Sequence, residues 1–194
     1  MIAFLLMLLL GAPGSGVSVE CWGMELLGHP TDYDRGDWKH WIDEDGDCQN
    51  TRAETLVMHS VRPVRYATPR GCRVLTGVWV DVFSGETLFF AGEIDIDHIV
   101  PLGWAHDKGA ADWDADRRRT FANDPDNLVP VHRSLNRQKG KKGPADWRPP
   151  SNLCGYATRW LHILRKYELM VTIAEVEALA EMQGHCENPG RYFE

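Results

Sequence analysis

The chain has 194 residues, 43% of them hydrophobic and 25% charged, and carries a formal net charge of −7. With a short leader set aside, that length suits one domain with a real apolar core. The composition excludes low-complexity disorder, collagen and coiled coil. A multi-span membrane protein is excluded because no apolar run after residue 20 approaches ~18 residues. The negative charge argues against a uniformly basic nucleic-acid coat, although the charge is very unevenly placed.

Residues 1–10 read MIAFLLMLLL, and residues 11–18 are mostly small or turn-forming. This predicts a secretory signal peptide over residues 1–18, cleaved after Gly16 or Ser18, although no Lys or Arg precedes the apolar stretch. The alternative is an N-terminal apolar helix that stays. With the leader removed, residues 19–194 form a single domain without a membrane segment, secreted or periplasmic. Five cysteines follow: Cys21, Cys48, Cys72, Cys154 and Cys186. Their spacing fits no zinc pattern, so an exported chain would use them in disulfides with one left over. Pairing Cys48 with Cys72 would tie an acidic loop to a strand start. Pairing Cys154 with Cys186 would close a helical tail and leave Cys21 odd. Four cysteines alone still allow three connectivities.

Residues 20–54 hold ten carboxylates against three bases. Within them Asp43, Asp45, Asp47 and Glu54 occupy positions 1, 3, 5 and 12 of an EF-hand-like loop. Cys48 stands where that loop has Gly and must take a strained turn, and polar Asn50 replaces an apolar residue. Three readings stay open: a structural Ca²⁺ loop, an acidic surface loop pinned by a disulfide, or support for a neighbouring centre through Glu54 or Arg52.

Further along, residues 74–90 read as strand, with Gly77 and the Ser84-Gly85 pair as bulge or turn signals. Another strand is expected over 94–100, a helix over 112–122, a short strand over 128–131, a helix from Ser134 to Lys139, and a Pro-rich stop over 143–150. In the tail, Tyr156, Trp160, Ile163, Leu164 and Tyr167 fall on one helical face. A last helix starts at Thr172 with Glu175 three residues on, a capping box, and Ile173, Val176 and Leu179 or Ala180 form its expected apolar side.

The chemistry concentrates in residues 93–147. Asp97 and His98 end an apolar strand pattern. A carboxylate can hold a divalent cation, and a neutral imidazole can take a proton from water near pH 7. Adjacent strand residues point opposite ways, so the pair serves one site only if the strand bends there. Asn127 follows Pro125-Asp126 in a turn, where an Asn can fix a loop. Asn136 lies at the next helix start and offers a hard amide oxygen. Residues 116–148 carry nine bases and four acids, a local +5 inside a −7 chain, and a basic face of this kind suits phosphate.

These residues resemble the HNH nuclease family with its ββα-metal motif. DIDHIVPL followed by NRQKG is similar to the HNH domain of RNA-guided DNA nucleases. The fuller pattern adds FANDPDNL and PADWRPP, with DEDGDCQNTRAETL upstream and YATRWLHILRKY downstream. It resembles the exported HNH proteins related to the C-terminal domain of GmrSD-type restriction enzymes, over about residues 33–179. The resemblance implies an α+β fold: a ββα-metal (HNH) core with additional N-terminal strands and a C-terminal helical pair. It makes His98 the general base, Asp97 and Asn136 the ligands of one divalent metal (Mg²⁺ or Mn²⁺), and Asn127 the residue that orients the loop holding His98. Arg133, Arg137 and Lys139 would lie near the phosphate backbone. Asn136 replaces the family's third-letter His, which leaves the ligand set less defined, and His132 is a further candidate ligand. The implied activity is hydrolysis of DNA phosphodiesters with little sequence specificity, leaving 5′-phosphate and 3′-hydroxyl ends, with RNA open as a substrate. The rivals are a DNase toxin using the same chemistry and a non-catalytic secreted module that binds Ca²⁺ or nucleic acid.

Overall fold

The computed structural model describes residues 32–186, so the expected signal peptide and Cys21 lie outside the described residues. The fold is mixed α/β, with two small antiparallel sheets and several helices. No described helix is long and apolar enough to cross a membrane.

Helix α1 (Thr51–His59) starts where the Asn50 side chain accepts the Ala53 N–H. Strands β1 (Arg65–Tyr66), β2 (Val74–Val80) and β3 (Thr87–Phe90) follow as a three-stranded sheet in that order. The strand-like run over 74–90 is thus a hairpin that turns through Gly85, whose φ is +79°. The register shifts between Thr76 and Trp79, around Gly77. A Cβ on Gly77 would meet the Trp79 ring at 2.6 Å, so only glycine lets that indole fold under the strand.

The second sheet is a pair, β4 (Ile94–His98) against β5 (Leu128–His132), with α4 (Arg133–Lys139) following β5 directly. Between the two strands run α2 (Leu102–Asp107) and α3 (Ala115–Ala122). The helix expected over 112–122 starts later, because Asp114 caps it by accepting the Arg117 N–H.

Alternation places this pair between two cores. Ile94, Ile96 and Leu128 join Leu56, Val74, Trp79 and Leu88 in the smaller one. Val129, Val131, Ile99 and Val100 join the larger one, which α5 (Leu153–Tyr167) dominates. Tyr156, Trp160, Ile163, Leu164 and Tyr167 of α5 are all buried, as their spacing implies.

Helix α6 (Ile173–Gln183) begins with the expected capping box of Thr172 and Glu175. Its apolar side matches the expected one only at Leu179. Ile173 and Val176 are exposed, while Ala178, Leu179 and Met182 are buried. Glu175 turns inward to accept from Trp104 Nε1 (2.8 Å) and Lys108 Nζ (3.0 Å), and this sets the helix's rotation. Disulfides join Cys48 to Cys72 and Cys154 to Cys186, tethering the acidic loop to β2 and the start of α5 to the end of α6.

Candidate active site

The β4–β5 register runs unbroken from Ile94↔His132 to His98↔Leu128, so β4 does not bend at its end. Asp97 and His98 therefore point to opposite faces. Asp95 and Asp97 share the face towards α4; His98 faces the segment around Trp41 and the end of α3.

His98 is buried, and its Nε2–H donates to the Ala122 carbonyl oxygen at 2.8 Å. A carbonyl can only accept, so that contact fixes the proton on Nε2. Nδ1 is then the unprotonated nitrogen, and it has no hydrogen-bond partner among the described residues. Burial pushes the imidazole pKa down to about 3, reinforced by the positive fields of Arg35 and Lys139. Trp41 lies across the ring, with centroids 6.0 Å apart and planes 32° apart, and holds a left-handed φ of +59°.

Asp97 is held differently from the expectation. The Lys139 ammonium lies 2.9 Å from Asp97 Oδ2 and 3.2 Å from Oδ1, and also donates to the His98 carbonyl at 2.8 Å. Lys139 is fully buried, which corrects its expected place beside a phosphate backbone: the apolar stem lies in the core and the charge ends on Asp97. Burial raises the Asp97 carboxyl pKa and lowers that of the ammonium. The short contact to Oδ2 is off-axis, so this buried oxygen has no aligned hydrogen bond. The Asn136 amide donates to Asp95 Oδ2 at 3.2 Å, which leaves the Asn136 oxygen available. The Asp97 carboxylate, ion-paired with Lys139, the Asn136 amide oxygen and the Asp95 carboxylate form a hard donor set of the kind a divalent cation takes. Asp95 is not among the ligands expected from sequence, yet the DxD spacing carries the signal, since residues i and i+2 share a strand face.

Asn127 clamps the chain just past His98. Its Oδ1 accepts the Val100 N–H at 2.8 Å, its Nδ2 donates to the Val100 carbonyl at 3.1 Å, and its own carbonyl accepts the Ile99 N–H. Asp124, buried in the same loop, accepts from Tyr167 Oη (2.7 Å) and Lys166 Nζ, which fastens the loop to α5. His132 is the N-cap of α4, with Nδ1 2.7 Å from Ser134 Oγ, and so does not point into the Asp95–Asn136 cluster. Its backbone N–H donates to buried Asp81 at the end of β2. Arg133 is half-buried and Arg137 exposed on α4.

The acidic loop is separate. Asp43, Asp45 and Asp47 are exposed, with carboxylate oxygens all within 4.8 Å of one another, the one such group of three among the described residues. Cys48 adopts φ +77°, the left-handed conformation its loop position requires. Glu54 lies in the first turn of α1, and burial followed by the negative fields of Asp45 and Asp47 raises its carboxyl pKa. Arg52 turns away from this loop and donates to the Ala91 and Ile94 carbonyls, bracing the start of β4.

These features define a disulfide-bonded mixed α/β protein whose hard oxygen donors and buried neutral histidine share one strand end. A family model of the C-terminal domain of GmrSD restriction endonucleases matches residues 62–182. A protein of Arthroderma benhamiae described as an uncharacterised secreted protein is 39% identical over 158 residues, 79% of this chain and 76% of its own. No solved structure matches. The chain belongs to the GmrSD restriction endonuclease C-terminal domain family.

Proposed function

We propose that this protein is a secreted endonuclease that hydrolyses DNA phosphodiesters with help from a divalent cation, on a ββα-metal core formed by β4, β5 and α4. The single observation that carries the reading is His98, whose Nε2–H is held by the Ala122 carbonyl while Nδ1 stays free to take a proton. His98 is the general base and accepts the proton of the attacking water at Nδ1. Asp97 and Asn136 would hold the cation, with Asp95 as the second carboxylate. A bound Mg²⁺ or Mn²⁺ would supply neutralisation of the charge developing on the phosphate and the leaving oxygen. Asn127 positions the segment that follows His98, and Arg133 and Arg137 attract the phosphate backbone. Asp97 and His98 leave β4 on opposite faces, so this reading requires the end of β4 to bend when substrate binds.

The mature domain is residues 19–194, with residues 1–18 as its export signal. The secreted relative supports that placement. A second cation, Ca²⁺, suits Asp43, Asp45, Asp47 and Glu54.

The test is incubation of the oxidised mature protein with supercoiled plasmid. Cutting with Mg²⁺ or Mn²⁺, none with EDTA, and fragments that DNA ligase rejoins are expected, since ligation requires 5′-phosphate and 3′-hydroxyl ends. A folded protein that binds plasmid but never cuts it with any of Mg²⁺, Mn²⁺ or Ca²⁺ would favour the non-catalytic module.

A further inference from the structure

The segment just before the acidic loop packs against His98, and the mechanism above does not use it. Trp41, the residue that lies across the His98 ring, holds a left-handed φ of +59°. That conformation is costly for a bulky residue and persists only where the surroundings over-determine it. Here they do. Before Trp41, Trp38 is buried against Phe121, with ring centroids 5.7 Å apart. On both sides of it, Asn123 takes hold of the backbone: its Nδ2 donates to the Lys39 carbonyl at 2.7 Å, and its Oδ1 accepts the Ile42 N–H at 3.5 Å. The Thr51 hydroxyl donates to the same oxygen at 2.8 Å.

His40 sits inside this clamp. Its Nδ1 lies 2.7 Å from the Trp38 carbonyl oxygen, which can only accept, so Nδ1 carries a proton. Nε2 has no hydrogen-bond partner among the described residues, and the residue is half-buried. His40 and His98 both pack on the Trp41 indole, with centroids 5.2 Å and 6.0 Å from it. Two imidazoles therefore meet one indole, each with an N–H tied to a backbone carbonyl and the other nitrogen free. A charged His40, together with Arg35 of the same segment, helps to keep His98 neutral.

Neutral His98 takes a proton, but no residue assigned so far gives one to the oxygen that leaves phosphorus. We propose that His40 is the general acid of the same reaction, donating from Nε2 to the leaving 3′ oxygen. The water oxygen bonds to phosphorus as His98 Nδ1 takes its proton. The bond from phosphorus to the 3′ oxygen breaks, the electron pair stays on that oxygen, and the His40 Nε2 proton completes the 3′-hydroxyl. His40 ends neutral and His98 charged, and exchange with water resets both. The role rests on the nuclease reading.

The experiment compares leaving groups. The full mature chain, as wild type, His40→Ala, His40→Gln and His98→Ala, each checked by thermal melting, is assayed with Mn²⁺. The substrates are supercoiled plasmid and bis(p-nitrophenyl) phosphate. Nitrophenolate leaves without a proton, whereas a 3′ alkoxide needs one. Both His40 variants should lose about 10²–10³-fold on plasmid but under about fivefold on the nitrophenyl ester. His98→Ala should lose activity on both, because each reaction needs the attacking water deprotonated. Equal losses on the two substrates in the His40 variants would mark a structural role and overturn the proposal. So would an undiminished plasmid rate in folded His40→Ala and His40→Gln. Wild type that cleaves neither substrate overturns the nuclease reading and His40's role with it, an outcome told apart from the others by the wild type alone.

Discussion

At the scale of single residues, the candidate site depends on two buried groups that must be kept in opposite states. His98 is neutral, with its pKa pushed down to about 3, against about 6.5 in an unfolded chain. The unfolded chain binds more protons between those values. The stability contributed by neutral His98 is therefore complete above about pH 6.5 and is lost as pH falls towards 3, with a slope of at most about 1.4 kcal/mol per pH unit. Urea midpoints measured from pH 7 to pH 4 should fall more steeply for the wild type than for His98→Asn. Equal slopes would mean that His98 titrates as it does in the unfolded chain. Lys139 presents the complementary case. Replacing it by Met strands the Asp97 carboxylate in the core and should cost about 3–5 kcal/mol, read from urea unfolding. Lys139→Met/Asp97→Asn should recover much of that loss. No recovery would show that the lysine acts through packing of its stem.

At the scale of elements, each part of the site is set by a neighbour that the local pattern does not reveal. The β4 pattern was legible as a strand ending in Asp97-His98, and the opposite facing of two adjacent residues follows from strand geometry alone. What fills each face was not legible, because Lys139, Trp41 and Ala122 are distant in sequence and meet β4 only in the folded chain. The basic cluster on α4 read as one phosphate-facing group. It divides because Lys139 falls on the inward side of a short helix while Arg137 falls on the outward side. For α6, the capping box predicted the start. The buried face was misassigned because a buried glutamate with three partners outweighs two exposed aliphatics. The tail also carries a covalent constraint. Removing the Cys154–Cys186 bridge as a double Ala variant should cost about 2–4 kcal/mol in urea unfolding, since it closes a loop of 32-residue separation. A loss under about 0.5 kcal/mol, the level of an ordinary surface substitution, would mean that α5–α6 packing alone fixes the tail.

At the scale of the whole molecule, a net charge of −7 conceals a division of labour. Acidic residues gather in the loop before α1, while Arg62, Arg65, Arg70 and Arg73 around β1 and β2, and Arg133 and Arg137 on α4, have no ion pair among the described residues. The motif-bearing residues 93–147 fall within the family match, and the upstream acidic loop lies outside it. The centre of the resemblance legible in the sequence therefore falls within the stretch that the family model matches. The central claim is that His98 Nδ1 removes the proton from the attacking water. The most direct measurement is the single-turnover cleavage rate of plasmid in Mg²⁺ by wild type and by His98→Ala of demonstrated fold. A loss of about 10²–10⁴-fold with plasmid affinity retained is expected. An undiminished rate in His98→Ala would contradict it.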